Sequence, residues 1–180
     1  TICLVGSEMC IRDSIYTGAT NISGGRLTTT SSGSLSSATA ISVASGATYE
    51  VGADEEVGSI AGSGSISLGA HQLTAGGSGT DTTFGGVISG TGGLTKTGSG
   101  TLTLSGANTY AGSSNVGGGV LSVSGSLSDA TAVSVSEGAT YVVGADDAVG
   151  SITGSGSISL GANQLTAGGS GTDTTFGGVI

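Results

Sequence analysis

The sequence predicts an all-β chain that folds as a solenoid of roughly seven turns. One observation is a long internal repeat: residues 34–88 recur as residues 126–180, 92 positions later, with nine substitutions. Such self-similarity is the signature of repeat architectures, whose units bury their apolar faces by stacking on each other. A second observation is short alternation of apolar residues with Ser and Thr, which is typical of strands. The third is Gly-rich punctuation between these segments, which marks sharp corners.

The individual strands follow from this alternation, because Leu, Ile or Val points to one side and Ser or Thr to the other. Seven such segments stand in order along the chain: 41–43, 49–51, 65–68, 101–104, 121–123, 133–135 and 157–160. Short, evenly spaced strands fit a sandwich, a barrel or a solenoid. The near-identical repeat and the lack of Asn-Gly hairpin turns favour the solenoid, with about three strands and ~20–25 residues per turn.

Composition supports an ordered chain and excludes several classes of function. The 180 residues include 38 Gly and no Pro, only 8% are charged, and the mean hydropathy is +0.32. Disordered chains combine low hydrophobicity with high charge, so disorder is not predicted. After Ser14 there are two basic and ten acidic residues, which excludes a basic surface for nucleic acid. No stretch approaches the ~18 apolar residues of a membrane helix, so the chain is not expected to span a membrane.

The segment 1–14 differs from the rest of the chain. Its sequence, TICLVGSEMCIRDS, contains both cysteines, Cys3 and Cys10, and aligns with no repeat. It resembles a translated sequencing-adapter read-through. A signal peptide is the alternative interpretation, but the segment has no basic start, and Glu8 and Asp13 interrupt its apolar residues. We therefore predict a non-native segment at 1–14 and a repetitive body at 15–180.

A motif at about residues 85–123 carries a family resemblance. Its pattern, G-x-L-x-K-x-G-x-G-x-L-x-L-x-G-x-N-x-Y-x-G followed by G-G-x-L, is formed by Gly93, Leu94, Lys96, Gly98, Gly100, Leu102, Leu104, Gly106, Asn108, Tyr110, Gly112, Gly118, Gly119 and Leu121. This motif is similar to the passenger-associated transport repeat of autotransporters, the secreted β-helical passengers of Gram-negative bacteria. Ser113-Ser114-Asn115 replaces the Thr-rich step of the family. A partial earlier copy runs from Tyr16 to Leu27.

The resemblance implies a right-handed, single-stranded parallel β-helix that is exported and displayed on the bacterial cell surface. It also implies a partner, the C-terminal translocator β-barrel of the full-length protein, which this chain lacks. Because a further copy of the repeat breaks off at Ile180, we expect an uncapped internal fragment. The ends of such a fragment favour self-association.

Two repeated segments, 76–84 and 168–176, come close to the calcium-binding nonapeptide G-G-x-G-x-D-x-U-x. Thr83 and Thr175 stand where that motif has a large apolar residue. At ~4.8 Å per turn and three to four turns, Asp81 and Asp173 would lie roughly 15–20 Å apart and could not share an ion. The favoured interpretation is a corner that turns Phe84 or Phe176 into the core.

Three other polar features suggest chemistry. The acidic turns 54–56 and 146–147 could bind Ca²⁺ weakly, but a solvated loop is favoured. His71 is the only histidine, its repeat counterpart is Asn163, and no nucleophile segment accompanies it, so we expect a polar corner residue. Lys96 is expected to run along the sheet with its ammonium in water. No catalytic, cofactor-binding or metal-binding residue and no cofactor are predicted.

These observations predict a secreted or surface-displayed passenger stalk with a structural or adhesive role and no catalysis in this segment. Adhesion to host or neighbouring cells, aggregation and biofilm formation remain open. One alternative is a fragment of a carbohydrate-active β-helix enzyme whose site lies outside this chain. Another is a calcium-stabilised extracellular solenoid.

Overall fold

Residues 2–4, 10–11, 18–31 and 33–180 are described in the computed structural model, the first two ranges by their backbone alone. Within these ranges there is no helix, and parallel strands stack as a β-solenoid of about eight turns. The all-β solenoid prediction is confirmed. The turns lie at the short end of the expected range, because Leu121 pairs with Leu102 on the preceding turn and with Tyr141 on the following one. This spacing makes eight turns rather than seven.

Three parallel sheets surround the core, and we call them face 1, face 2 and face 3. Within each turn the chain contributes to face 1, then face 2, then face 3. Face 1 contains β3 (Thr20–Ile22), β5 (Ala40–Val43), β8 (Ser59–Gly62), β11 (Thr82–Phe84), β14 (Thr101–Leu104), β16 (Val120–Val123), β18 (Thr140–Val143) and β21 (Ser157–Ser159). Face 3 contains β7 (Glu55–Val57), β10 (Leu73–Ala75), β13 (Leu94–Lys96), β15 (Ser114–Val116), β17 (Ala132–Val135) and β20 (Ser151–Gly154).

Face 2 is less regular than the others. It contains β4 (Arg26–Thr30), β6 (Thr48–Gly52), β9 (Ser65–Ser67) and β12 (Val87–Ser89), and it ends with β19 (Asp147–Val149) and β22 (Leu165–Ala167). Between these two groups, single backbone bonds join successive turns, such as Thr109 N–H to Ile88 O at 2.9 Å.

Near the amino terminus, β1 (Ile2–Leu4) pairs antiparallel with both β2 (Cys10–Ile11) and β4. Most of the segment 1–14, for which the sequence analysis predicts a non-native origin, lies outside the described residues. Its origin stays a prediction.

Alternation along each strand builds the core, as the sequence predicts. In β14, Leu102 and Leu104 are buried while Thr101 and Thr103 face outward. The parallel register stacks equivalent residues, so Leu104 lies between Phe84 and Val123 on neighbouring turns. Burial of such side chains stabilises the fold by ~1.5–3 kcal/mol each.

The long repeat is out of phase with the turns. β5 lies on face 1, but its counterpart in the second copy, β17, lies on face 3. From β5 the chain passes four further strands of face 1 (β8, β11, β14, β16) and then two more faces, so one repeat spans four and two-thirds turns. The same shift applies to every strand pair of the two copies, and identical sequences therefore occupy different faces.

Glycine columns form the edges between faces, because backbones of successive turns approach closely there. Between faces 1 and 2 the column contains Gly64, Gly86, Gly106 and Gly125. A Cβ on Gly86 would lie 1.6 Å from Gly64 O, and one on Gly106 would lie 2.0 Å from Gly86 O. Most glycines of the motif are thus required because a side chain would collide with the backbone of the adjacent turn. Among the motif glycines, only Gly98 and Gly119 have a positive φ, 69° and 60°.

Candidate functional site

Lys96 of the motif is buried. It is 1% exposed and occupies an inward position of β13, between Ala75 and Val116 of the adjacent turns. Its ammonium donates to three carbonyl oxygens, those of Thr97 (2.5 Å), Gly98 (3.1 Å) and Gly118 (3.3 Å). The expectation that its stem lies along the sheet with its head in water is therefore wrong.

Burial lowers the pKa of Lys96, and the nearby Asp81 carboxylate opposes this shift. The carbonyl ligands satisfy a cation that would otherwise be costly to bury. Gly76 makes room for it: a Cβ there would lie 3.0 Å from Lys96 Cδ and 2.4 Å from Thr97 O. Lys96 thus closes the edge between faces 3 and 1 and links β13 to the following turn.

Asn108 of the motif links three turns. It is 2% exposed, its Oδ1 accepts from Ile88 N–H at 3.1 Å, and its Nδ2 donates to Gly106 O at 3.0 Å and Ser126 O at 3.1 Å. Residues 107–110 form no strand. The amide therefore supplies hydrogen bonds that a regular ladder would otherwise make.

Tyr110 of the motif is fully buried, and its hydroxyl bonds to that of Ser114 at 2.5 Å. Burial raises the pKa of this phenol above its usual range, so it stays neutral even at a pH at which an exposed tyrosine ionises. Thr131 Oγ1 donates to Tyr110 O at 2.8 Å. Ser114 belongs to the step that departs from the family pattern, and here it completes a buried polar pair.

The acidic turn 54–56 is not the uniformly solvated loop that the sequence predicts. Glu55 is 5% exposed, and its Oε1 accepts from Leu35 N–H of the preceding turn at 2.8 Å. Asp54, which is exposed, accepts from Gln72 N–H of the following turn at 2.9 Å. The two adjacent carboxylates thus join three turns.

Burial raises the pKa of Glu55 to about 7, although the hydrogen bonds that it accepts from Leu35 and Thr29 oppose this shift.

The second acidic turn, 146–147, makes the same kind of contacts to neighbouring turns, but on another face. Asp147 accepts from Leu127 N–H at 3.1 Å, and Asp146 accepts from Gln164 N–H at 2.8 Å. Burial likewise raises the pKa of Asp147.

A shallow groove of about 280 Å³ lies beside the first acidic turn, lined by Asp54, Glu55, Glu56, Gln72 and Thr74. Within residues 18–31 and 33–180, no group of three or more His, Cys, Asp and Glu side chains has a geometry that could hold a metal ion. His71 stands at the same corner, half-exposed, with its Nδ1 3.7 Å from Asp54 Oδ1.

The loop before Phe84 is a corner, and Phe84 is fully buried. Phe176 is partly buried and packs against the same core. Asp81 Oδ1 accepts from Thr101 N–H at 2.7 Å. The separation of Asp81 and Asp173 is four and two-thirds turns, more than the three to four expected, and the two residues lie on different edges.

The comparisons with known proteins agree with the motif. A family model, the passenger-associated transport repeat, matches residues 13–28 and 94–123. The predicted transport repeats are therefore confirmed, including the earlier partial copy. No curated protein and no solved structure matches the chain. Among the described residues, no helix is long and apolar enough to cross a membrane.

Proposed function

We propose, from two passenger-associated transport repeats on a parallel β-solenoid, that this chain is a stretch of an autotransporter passenger that forms a structural and adhesive stalk on the cell surface. The match of residues 94–123 carries the proposal. In this segment the motif residues have structural roles: the leucines fill the core, the glycines line the edges, and Lys96 and Asn108 join turns.

The way the solenoid is connected supports export. From β5 onward, strands pair only with strands of the adjacent turns, as β16 does with β14 and β18. A chain that emerges unfolded from a pore can therefore add one turn at a time. Each turn contacts only its neighbours, and no distant segment has to arrive first. The proposed partner in this step is the translocator barrel of the full-length protein.

Rows of outward polar side chains support a stalk that binds other molecules through hydrogen bonds. Outward positions of face 3 carry Thr74, Thr95, Asn115, Ser134 and Thr153 on successive turns. Hydroxyl and amide groups in a row, one per ~4.8 Å turn, offer repeated hydrogen bonds to a surface or a polymer. This face carries the adhesive part of the proposal.

Export is tested by placing the chain, with an epitope tag, between a secretion signal and a translocator barrel in a Gram-negative host. We expect protease added to intact cells to remove the tag. The same protein without the barrel is the control and should stay protected. A tag that stays protected in the presence of the barrel would contradict the proposal.

Adhesion is tested on the same cells by the rate of settling and by attachment to abiotic and cell surfaces. Cells displaying an equal amount of an unrelated solenoid provide the reference. Faster settling or attachment supports the adhesive role. If both kinds of cell settle and attach at equal rates, the chain is a stalk without an adhesive role.

A further inference from the structure

Two segments, 33–39 and 125–131, hold the same place in the two copies of the long repeat, and we call them the first and second latch segments. They read GSLSSAT and GSLSDAT. No strand lies within either segment, although Leu35 and Leu127 are buried there, at 5% and 3% exposure. Each segment therefore covers the core without the continuous backbone ladder that holds a strand to its neighbours.

In the first latch segment, a side chain of the following turn takes the place of that ladder. Leu35 N–H donates to Glu55 Oε1 at 2.8 Å, and at the end of the segment Gly58 N–H donates to Thr39 O at 2.8 Å. Glu55 stands at an inward position of β7, which Leu73 occupies on the next turn. The carboxyl group is therefore buried beneath the segment that it holds.

The second latch segment is held in the same way. Leu127 N–H donates to Asp147 Oδ2 at 3.1 Å, and Gly150 N–H donates to Thr131 O at 2.8 Å. Asp147 pairs with Leu165 of the next turn on face 2, whereas Glu55 belongs to face 3. The arrangement thus recurs on a different face, so it depends on the segment and its carboxyl group and not on the packing of one sheet.

The surroundings of Glu55 make burial of its charge costly. Thr29 of β4 donates a hydrogen bond to the carboxyl group, and the Tyr49 phenol of β6 lies near it. The other titratable side chains of this corner are Asp54, Glu56 and His71. The imidazole lies beside Asp54 and not beside the buried carboxyl group. Burial outweighs the hydrogen bonds and raises the pKa of Glu55 to about 7.

Asp147 has comparable surroundings. The titratable groups near it are the buried phenols of Tyr110 and Tyr141 and the carboxylate of Asp129. Burial raises the pKa of Asp147, and repulsion by Asp129 adds to the shift. Both latch segments are therefore held by a carboxyl group that binds its proton more tightly in the closed structure than in water.

We propose that each carboxyl group is a proton-operated latch, which holds its segment against the solenoid when protonated and moves into water, releasing the segment, when ionised. An ionised carboxylate is costly to keep in an apolar environment without a cation beside it. The groove of about 280 Å³ that Glu55 lines gives its side chain a route to water. Acidic surroundings thus close the latches, and neutral to alkaline surroundings open them.

Opening changes the surface of the solenoid locally. Release of the first latch segment uncovers Leu35 and one edge of β7, and an uncovered strand edge is a template for pairing with another chain. The solenoid is therefore more open to partners and proteases at these two places above neutral pH. The inference rests on burial and hydrogen bonding, and it holds whether or not the chain is exported.

Hydrogen exchange of the full chain, followed by mass spectrometry between about pH 5 and 8, tests this. Exchange rates divided by the intrinsic rate at each pH give the opening equilibrium of each segment. For residues 33–39 we expect it to rise by roughly 50-fold over this range, because a pKa that differs between 4.5 and about 7 changes it about tenfold per pH unit in between. Residues 94–104 of the same chain are the internal reference and should show no such rise.

Variants assign the effect to one carboxyl group. Glu55→Gln should make the opening of residues 33–39 independent of pH while residues 125–131 still respond, and Asp147→Asn should do the reverse. Glu56→Gln removes an exposed carboxylate of the same turn and should behave as the native chain. Circular dichroism checks that each variant is folded, and the comparison within the native chain stands without them.

Three results would overturn the inference. One is an opening equilibrium of residues 33–39 in the native chain that does not change with pH. Another is an equal rise in residues 94–104, which would mean that the whole solenoid loosens and no latch exists. The third is a folded Glu55→Gln variant that keeps the native response.

Discussion

The ammonium of Lys96 lies 3.3 Å from the carbonyl oxygen of Gly118, one turn further along the solenoid. Because its other two bonds go to Thr97 and Gly98 at the end of its own strand, this side chain fastens one turn to the next. The lysine of the transport-repeat motif thus has a structural role inside the solenoid.

Two substitutions of Lys96 should separate the contribution of its hydrogen bonds from that of its packing. Lys96→Met keeps most of the buried stem but leaves the carbonyls without their donor, and we expect a loss of ~1–3 kcal/mol in the free energy of unfolding. Lys96→Ala also leaves a cavity beside Gly76 and should cost more, ~2–5 kcal/mol. Urea unfolding followed by circular dichroism measures both. A methionine variant as stable as the native chain would show that the bonds do not contribute.

Two buried tyrosines should respond in opposite directions to the loss of their hydroxyls. Tyr141 Oη is buried without a hydrogen-bond partner, whereas Tyr110 Oη bonds to Ser114. Tyr141→Phe should raise the free energy of unfolding by about 1 kcal/mol, because a buried unpaired hydroxyl is costly. Tyr110→Phe leaves the Ser114 hydroxyl unpaired and should lower it by about 1 kcal/mol. Changes of equal sign in thermal unfolding would contradict this assignment.

Period-2 alternation made the strands and much of the core predictable. The same rule places Lys96 inward, two positions after Leu94, and Glu55 inward, two positions before Val57. Both were expected in water because charge is rarely buried. What the sequence does not reveal is that the carbonyls of Thr97, Gly98 and Gly118 converge at one corner.

The phase of the repeat could not be predicted from the sequence either. Its period fits four or five whole turns almost as well as four and two-thirds, because the length of a turn varies with its corners. Three successive strands of face 1 begin at Ala40, Ser59 and Thr82, so the second of these turns is longer than the first. Only the pairing of strands fixes which face each copy occupies.

The two sides of β14 should differ sharply in their tolerance of substitution. Leu104→Ala removes a fully buried side chain between Phe84 and Val123, and we expect a loss of ~2–5 kcal/mol. Leu102→Ala should behave alike. Thr103→Ala, on the outer side, should change the free energy of unfolding by about 0.5 kcal/mol or less. Equal losses in urea unfolding would mean that the register of this strand is wrong.

The glycine column predicts a similar contrast between two alanine substitutions. Gly106→Ala would place a methyl 2.0 Å from Gly86 O, so two turns must separate and their hydrogen bonds must lengthen. Overpacking of this kind costs ~1–3 kcal/mol or more. Gly24→Ala meets no atom within 4 Å and serves as the control. If the melting temperatures of the two variants are equal, close approach is not the reason for glycine at this edge.

Glu55 should make the stability of the chain depend on pH in the direction opposite to most carboxylates. Its pKa is raised by burial from 4.5 to about 7. Between these values the folded chain keeps the proton that the unfolded chain releases, so stability falls as pH rises from about 4.5 to 7. At ~1.4 kcal/mol per pKa unit, the effect is at most about 3 kcal/mol.

Glu55→Gln should remove this dependence while its amide oxygen still accepts from Leu35 N–H. Relative to the native chain, the variant should gain stability between pH 4.5 and 7 and keep that gain at pH 8, as measured by urea unfolding across this range. Glu56→Gln removes an exposed carboxylate from the same turn and is the control, for which solvent screening predicts little change. Parallel pH profiles for the native and Glu55→Gln proteins would show that the buried carboxylate titrates as it does in water.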